Sequence, residues 1–288
     1  MKVLYGGRLA RFDLLRAINN LAASITKWTP DCDKRLHHIM CYVHSTFKHR
    51  LVGFVGDKPC NMQPHLFADA DFAGDPETQR STSGLHLALR GPATCFPLTG
   101  ASKRQTCVSH STPEAEIVAA DFALRTSGLP AQQLWNVILG RQAGLVFHED
   151  NQAMIRVCQT GRNPTMRHLG RTHRVSVAWL HERFAEPGLL LRYEMTHRQA
   201  VDIYTKAFNE ALKWTAACLL INIVDGTQLE TLFRCFADHN AEQLAQDYDL
   251  LYEGLHKSAN PKSNYMEYNA SPSTQRRGGH HKRRPSCG

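Results

Sequence analysis

The sequence predicts a layered α/β domain with a mixed five-stranded sheet flanked by helices, a helical lead-in before it, and a disordered basic tail after it. Three observations carry that expectation. From residue 64 onward, short strand-like apolar runs alternate with helical spacing in the order βββ-α(α)-β-α-α-β-α, which packs as helices on a sheet. Residues 1–60 keep to the helical period. Residues 257–288 have no apolar periodicity and hold most of the net charge, the composition of a segment that cannot bury a core.

In the lead-in, residues 1–60, Leu14, Ile18, Leu21 and Ile25 recur at helical spacing, as do Leu36, Ile39, Met40, Val43 and Phe47. Between them "WTPDCDKR" supplies a break at Pro30 and an N-cap at Asp31 or Asp33. The main domain, residues 62–210, opens with "PHLFADADF", "SGLHLALRG" and "ATCFPLTG", three runs separated by Gly, Pro and Asp signals, hence consecutive strands. "SHSTPEAEIVAADFALRTSG" then reads as a helix. Ser111 or Thr112 can cap it, Pro113 suits its first position, and Ser111 with Glu114 makes a capping-box pattern. Ala115, Val118, Ala119 and Phe122 form its buried stripe, and a second helix of about 130–139 follows Pro130. "GLVFHEDNQAMIRVCQTG" is a strand ending near Asp150 and then a helix to about Cys158. "RTHRVSVAWLHERFA" is helical, "GLLLRYEMT" is the last strand, and "RQAVDIYTKAF" is the closing helix. Residues 211–256 hold two further amphipathic helical patterns and no recognisable chemistry.

Composition narrows the function classes. The 288 residues are 42% hydrophobic, yet no run of about 18 apolar residues exists, so no membrane-spanning helix is expected. The first twenty residues lack a signal-peptide core, and the nine cysteines form no C-x-x-C. Both point to an intracellular protein with reduced thiols, cytoplasmic or nuclear and not secreted. The sixteen histidines show no zinc-finger spacing, so zinc is not expected. Of the net charge of +8, residues 255–288 carry seven basic side chains against Glu267, 7 − 1 = +6, leaving +2 for the rest. Such a tail binds nucleic acid non-specifically, serves as a nuclear address, or is simply solvated.

Residues 64–84, "PHLFADADFAGDPETQRSTSG", place Asp69 and Asp71 at the end of an apolar run, with His65, Phe67 and Asp69 on one strand face. Acids there either cap a solvated loop or bind a cation. Three more acids occupy telling positions: Glu116 in the first turns of the long helix, Asp150 at the end of the fourth strand, and Asp202 at the start of the last helix. If the first and fourth strands are neighbours, Asp69 and Asp150 stand side by side, and a packed helix brings Glu116 over them. Clustered carboxylates cannot all stay charged without cations. Hard oxygen ligands suit Mg²⁺ or Mn²⁺, and two such ions about 4 Å apart serve in-line displacement at phosphorus.

"DADFAGDPETQRSTSG", "SKRQTCVSHSTPEAEIVAA", "EDNQAMI", "RTHRVSVAWLHERF" and "THRQAVDIYTKAF", in that order and spacing over about residues 62–210, resemble the ribonuclease H domain of copia-type retrotransposon polyproteins. The lead-in is similar to the segment that connects reverse transcriptase to ribonuclease H there, so the resemblance covers roughly residues 1–222. It implies a ribonuclease H-like fold and a two-metal endonuclease that cuts the RNA strand of RNA–DNA hybrids with two Mg²⁺ (or Mn²⁺) ions. It also implies roles. Asp69 would bridge both metals, and Glu116, Asp150 and Asp202 would complete the ligand set. Asp71 matches a family acid too but ranks below Asp69, because its side chain is expected on the opposite strand face, the turn at Gly74 drawing the chain out of the sheet. Lys103, Arg104, Gln105, Asn151, Arg171 and His173 are the expected nucleic-acid contacts.

Some positions depart from the family pattern. Val201 stands where Ala is usual, and His173-Arg174 where Lys-His is common. No polymerase Tyr-x-Asp-Asp, protease triplet or integrase finger occurs, so a reverse transcriptase domain is the expected absent partner. The alternative is a catalytically silent retroelement remnant, or a nucleic-acid-binding fragment without its polymerase. An integrase core fits less well, since that class ends its acid set in Glu and here the last acid is Asp202.

Overall fold

A computed structural model describes residues 2–227 and Leu229. The lead-in forms α1 (Lys2–Ala10), α2 (Leu15–Ala22) and α3 (Pro30–Ser45). Pro30 takes the first position of α3, as its missing N–H allows, but the cap is Thr29 rather than Asp31 or Asp33, which lie in the first turn where the helix dipole favours acids. Leu21, Cys32, Leu36, Ile39 and Val43 pack together between α2 and α3, whereas Ile25, Met40 and Phe47 remain exposed. Two short strands follow, β1 (His49–Leu51) and β2 (Phe54–Val55).

The main domain then runs β3 (Gln63–Asp71), β4 (Thr82–Gly91), β5 (Thr94–Arg104), α4 (Thr112–Ala123), α5 (Leu129–Leu139), β6 (Leu145–Glu149), α6 (Gln152–Thr160), α7 (Leu169–Thr172), α8 (Val177–Ala185), β7 (Leu189–Tyr193) and α9 (Asp202–Thr205). After it come α10 (Ala211–Leu220) and β8 (Ile223–Asp225). The sheet order is β2-β5-β4-β3-β6-β7. The strands β3, β4 and β5 form an antiparallel meander, and β6 and β7 add in parallel to β3. All five expected strands are present; the sixth, β2, is a two-residue edge that pairs Phe54 with Cys95 and Val55 with Thr94. This is a mixed sheet with helices on both faces.

Alternation along β3 sends Leu66 and Ala68 to one face and Phe67 to the other. The first face packs Leu66, Leu85 and Phe147 against Ile117 of α4, Met154 of α6 and Leu180 of α8. The second packs Phe67 against Phe12, Leu15, Tyr204, Ala217 and Ile221, so the lead-in, α9 and α10 cover it together. The lead-in is therefore a layer of the same core. Beside it, β1 and β8 pair antiparallel, His49 opposite Asp225. A half-buried chain runs from Trp214 Nε1, which donates to the Tyr42 hydroxyl (3.0 Å), to that hydroxyl, which donates to Asp13 (2.9 Å). Of the patterns expected in 211–256, the first is α10 and β8, and the second, like the tail 257–288, lies outside the described residues. Among the described residues no helix is long and apolar enough to cross a membrane.

Candidate active site

The parallel register of β3 and β6 ends at Phe67 opposite His148. Two residues further along each strand direction stand Asp69 and Asp150, side by side as the neighbouring strands require. Past the end of that register the Ala70 N–H has no partner on β6, and it donates to Glu116 Oε2 at 2.8 Å. Glu116 reaches it because Ser111 caps α4 and starts the helix one turn earlier. Carboxylate oxygens of Asp69, Glu116 and Asp150 all lie within 4.8 Å of one another. Asp202 comes from the second face, at the first position of α9, and Lys206 ties it in: Nζ is 2.8 Å from Asp202 Oδ1 and 3.5 Å from Asp69 Oδ1. The helix approaches closely because Gly84 lies opposite Asp69. A Cβ there would stand 2.7 Å from Thr205 Cγ2 and 2.8 Å from Val201 Cγ2, well inside ordinary contact distance.

Burial dominates the electrostatics. Asp69 is 2% exposed and Glu116 3%. Desolvation pushes the Asp69 carboxyl up, opposed by the Lys206 ammonium and the Thr205 hydroxyl that donates to Oδ2. Glu116 is raised well above the carboxylate range by burial and then by Asp69, Glu149 and Asp150. Asp202 is pushed up to about 7 by burial and by Asp69, against the pull of Lys206. For Lys206, desolvation is outweighed by Asp69 and Asp202, and its ammonium is held charged. Acids so placed hold protons unless cations replace them. The donor set is oxygen-only and converges on one point, which fits a hard divalent cation.

Of the four acids assigned from the sequence, Asp69, Glu116 and Asp150 converge, and Asp202 is joined to Asp69 across Lys206. Asp71 differs from expectation. β3 stays regular through Asp71, paired with Thr82, so Asp71 follows Asp69 on the same strand face rather than the opposite one. Its carboxylate is already engaged, Oδ1 accepting the Thr82 N–H at 2.6 Å. Burial pushes it up to about 6.

The expected nucleic-acid contacts divide. Lys103 and Arg171 are exposed, the Lys103 ammonium sitting 4.9 Å over the Phe122 ring. Arg104 pairs with Asp75 at 3.0 Å. Asn151 caps α6, its Oδ1 accepting the Met154 N–H. Gln105 and His173 are corrections. Gln105 is buried, its Nε2 donating to Ser83 Oγ and the Ala115 carbonyl while its Oε1 accepts from Ser109, so it ties β5 to α4. The His173 side chain is 1% exposed and stands behind Glu114.

Sequence reasoning missed Glu149, Lys206 and a second cluster. Glu149 is fully buried and raised well above the carboxylate range by that burial; its Oε1 accepts the Asn151 N–H, whereas its Oε2 is buried without a hydrogen bond among the described residues. The acid doublet in "HEDN" was its only signal, because a strand covered on both faces shows no alternation. Lys206 was visible in "YTK", four residues after Asp202 and so on the same helical face. The second cluster is His110, Glu114 and His168.

No family model matches the chain. It is 24% identical over 202 residues to the retrovirus-related Pol polyprotein from transposon RE1 of Arabidopsis thaliana, and 25% identical over 202 residues to that from transposon RE2. Each match takes in 68% of this chain and 13% of the relative, so the chain spans a small part of the curated relatives' length. Among solved structures, LC11-RNase H1 isolated from compost is similar at 14% identity and a TM-score of 0.34, over 50% of this chain and 92% of that one. The foamy viral protease-reverse transcriptase in complex with RNA/DNA hybrid is similar at 14% identity and a TM-score of 0.39, over 67% of this chain and 23% of that one. In sequence, then, the chain resembles retrovirus-related Pol polyproteins of copia-type retrotransposons.

Proposed function

We propose that this chain is the ribonuclease H-type endonuclease segment of a copia-type retrotransposon polyprotein, cutting the RNA strand of RNA–DNA hybrids. The observation that carries the reading is the convergence of Asp69, Glu116 and Asp150 within 4.8 Å at the ends of β3 and β6, with Asp202 joined to them across Lys206. Asp69, Glu116, Asp150 and Asp202 would hold two Mg²⁺ or Mn²⁺ ions. Such ions supply the activated water and the stabilisation of the leaving 3′-oxygen, so the products carry a 5′-phosphate and a 3′-hydroxyl. Thr205 fixes the rotamer of Asp69 by donating to Oδ2, the Ala70 N–H orients Glu116, and the close packing of α9 on Gly84 sets Asp202. The exposed cations Lys103 and Arg171 would meet phosphates, and a hybrid is recognised by its 2′-hydroxyls and groove shape rather than its base sequence. A reverse transcriptase domain of the same polyprotein would supply further grip, and the protein would work inside the cell.

Purified chain incubated with a labelled RNA–DNA hybrid, duplex RNA and duplex DNA tests this. The reading expects Mg²⁺- or Mn²⁺-dependent cutting of the hybrid's RNA strand alone. Equal cutting of all three would overturn the substrate assignment, and hybrid binding with no cutting at any metal concentration would favour the silent remnant.

A further inference from the structure

A second set of metal-type ligands lies away from the four acids. Glu114 and Glu116 are two residues apart on α4 and so project from well-separated sides of the helix. The capping box expected at Ser111 is only half made: Ser111 Oγ accepts the Glu114 N–H at 3.4 Å, but the Glu114 carboxylate accepts the His110 N–H (3.1 Å) rather than that of Ser111. Glu114 instead faces imidazoles from two segments. His110 Nδ1 is 3.5 Å from its oxygens, His168 Nε2 is 3.1 Å from Oε1, and His173 Nε2 is 3.4 Å from the same Oε1. Ligand atoms of His110, Glu114 and His168 all fall within 4.8 Å of one another.

These separations are close to the edge of a zinc tetrahedron, about 3.3–3.5 Å for ligands 2.0–2.1 Å from the metal. Hydrogen bonding accounts for part of the arrangement but not for His173. Its ring is 1% exposed, and among the described residues neither ring nitrogen has a hydrogen-bond partner, although Nε2 lies 3.4 Å from Glu114 Oε1. A buried imidazole left unsatisfied is costly, and a cation bound beside Glu114 would give one of those nitrogens a partner.

We infer that His110, Glu114 and His168 bind one zinc ion, with His173 the nearest further donor, and that this ion clasps the 164–173 segment to the start of α4. Cys107 already joins the same two regions, its thiol donating to the Thr172 carbonyl at 3.0 Å. The clasp would hold the helix turn from which Glu116 reaches the active site. It would be structural, and distinct from the Mg²⁺-type set. Two imidazoles and a carboxylate suit zinc, whereas Asp69, Glu116 and Asp150 offer oxygen alone.

The full chain, equilibrated with equimolar zinc and desalted, should retain one zinc per chain by elemental mass spectrometry, with imidazole scattering in its zinc X-ray absorption spectrum. His110→Ala/His168→Ala should lower zinc affinity by tenfold or more and lose that scattering. The His110 side chain is 69% exposed, so His110→Ala alone, which should also weaken zinc binding, serves as the variant that leaves the fold intact. Asp69→Asn should retain zinc unchanged. Zinc absent from the folded wild-type chain, zinc retained equally by the double histidine variant, or a zinc spectrum of oxygen neighbours alone would each overturn the assignment.

Discussion

Asp202→Asn should stabilise the metal-free protein, and by more at pH 8 than at pH 5. Burial and the neighbouring Asp69 push the Asp202 carboxyl up to about 7, whereas in the unfolded chain it titrates near 3.9. Between those values the native state binds the extra proton. Stability therefore falls as pH rises through that window, and the loss is complete above it. Integration gives roughly 1.5 kcal/mol lost at pH 5 and about 4 kcal/mol at pH 8, so about 2–3 kcal/mol develops between them. These are upper bounds, because the asparagine variant also gives up the Lys206 contact at 2.8 Å. Wild-type stability alone would hide the effect. Burial holds His65 and His86 at about 3, so both stay neutral in the fold while the unfolded chain protonates them below about 6.5, a contribution that rises with pH. Both proteins carry those histidines, and the difference between them removes that contribution. Urea unfolding of the two proteins in EDTA at pH 5, 6.5 and 8 measures the gap. Mg²⁺ at a hundred times its Kd should then return about 2.7 kcal/mol to the wild type. A gap that stays flat or narrows with pH would refute the account of a charge-starved carboxylate cluster.

Further outcomes follow from the same geometry. Gly84→Ala should cost roughly 1–3 kcal/mol in denaturant unfolding, as overpacking against Thr205 and Val201, and slow hybrid cleavage by shifting α9 with Asp202; unchanged stability would contradict that packing. Asp71→Asn should cut hybrids nearly as well as wild type, since an amide oxygen can still accept the Thr82 N–H, whereas Asp71→Ala should lose about 1–3 kcal/mol of stability. An inactive Asp71→Asn protein would make Asp71 a ligand. Lys103→Ala should weaken hybrid binding in filter or anisotropy titrations and lower the salt slope by about 1, with turnover retained at saturation.

Much of the architecture was legible because the relevant signals are local. Strand and helix periods, Ser111 as cap and Pro113 behind it set the element order, and the four acids fall at element ends, where Asp69, Glu116 and Asp150 converge and Lys206 joins Asp202 to Asp69. Other features depend on partners remote in sequence. The lead-in shows only its helical period, and nothing in it announces that Phe12 and Leu15 meet Phe67 in one core; β2 is too short to carry a period. Gln105 and His173 looked like surface contacts because polarity in sequence does not report burial; Gln105 turns inward at the end of β5, and His173 lies behind Glu114. Asp71 was misjudged on a turn signal, although the strand runs regularly to its last residue. The His110–Glu114–His168 cluster has no linear signature, since its third member arrives from a segment fifty-four residues away from Glu114.

The central claim is that Asp69 and its neighbours hold the divalent cations that cut RNA in a hybrid. Cleavage of a 5′-labelled RNA–DNA hybrid by wild type and Asp69→Asn side by side, across Mg²⁺ and Mn²⁺ concentrations, tests it most directly, with the variant's folding checked by its unfolding curve. The account predicts metal-dependent fragments with 3′-hydroxyl ends from the wild type and background cutting from a fully folded Asp69→Asn. Wild-type protein that never cuts, or an Asp69→Asn protein that cuts as fast, would contradict it.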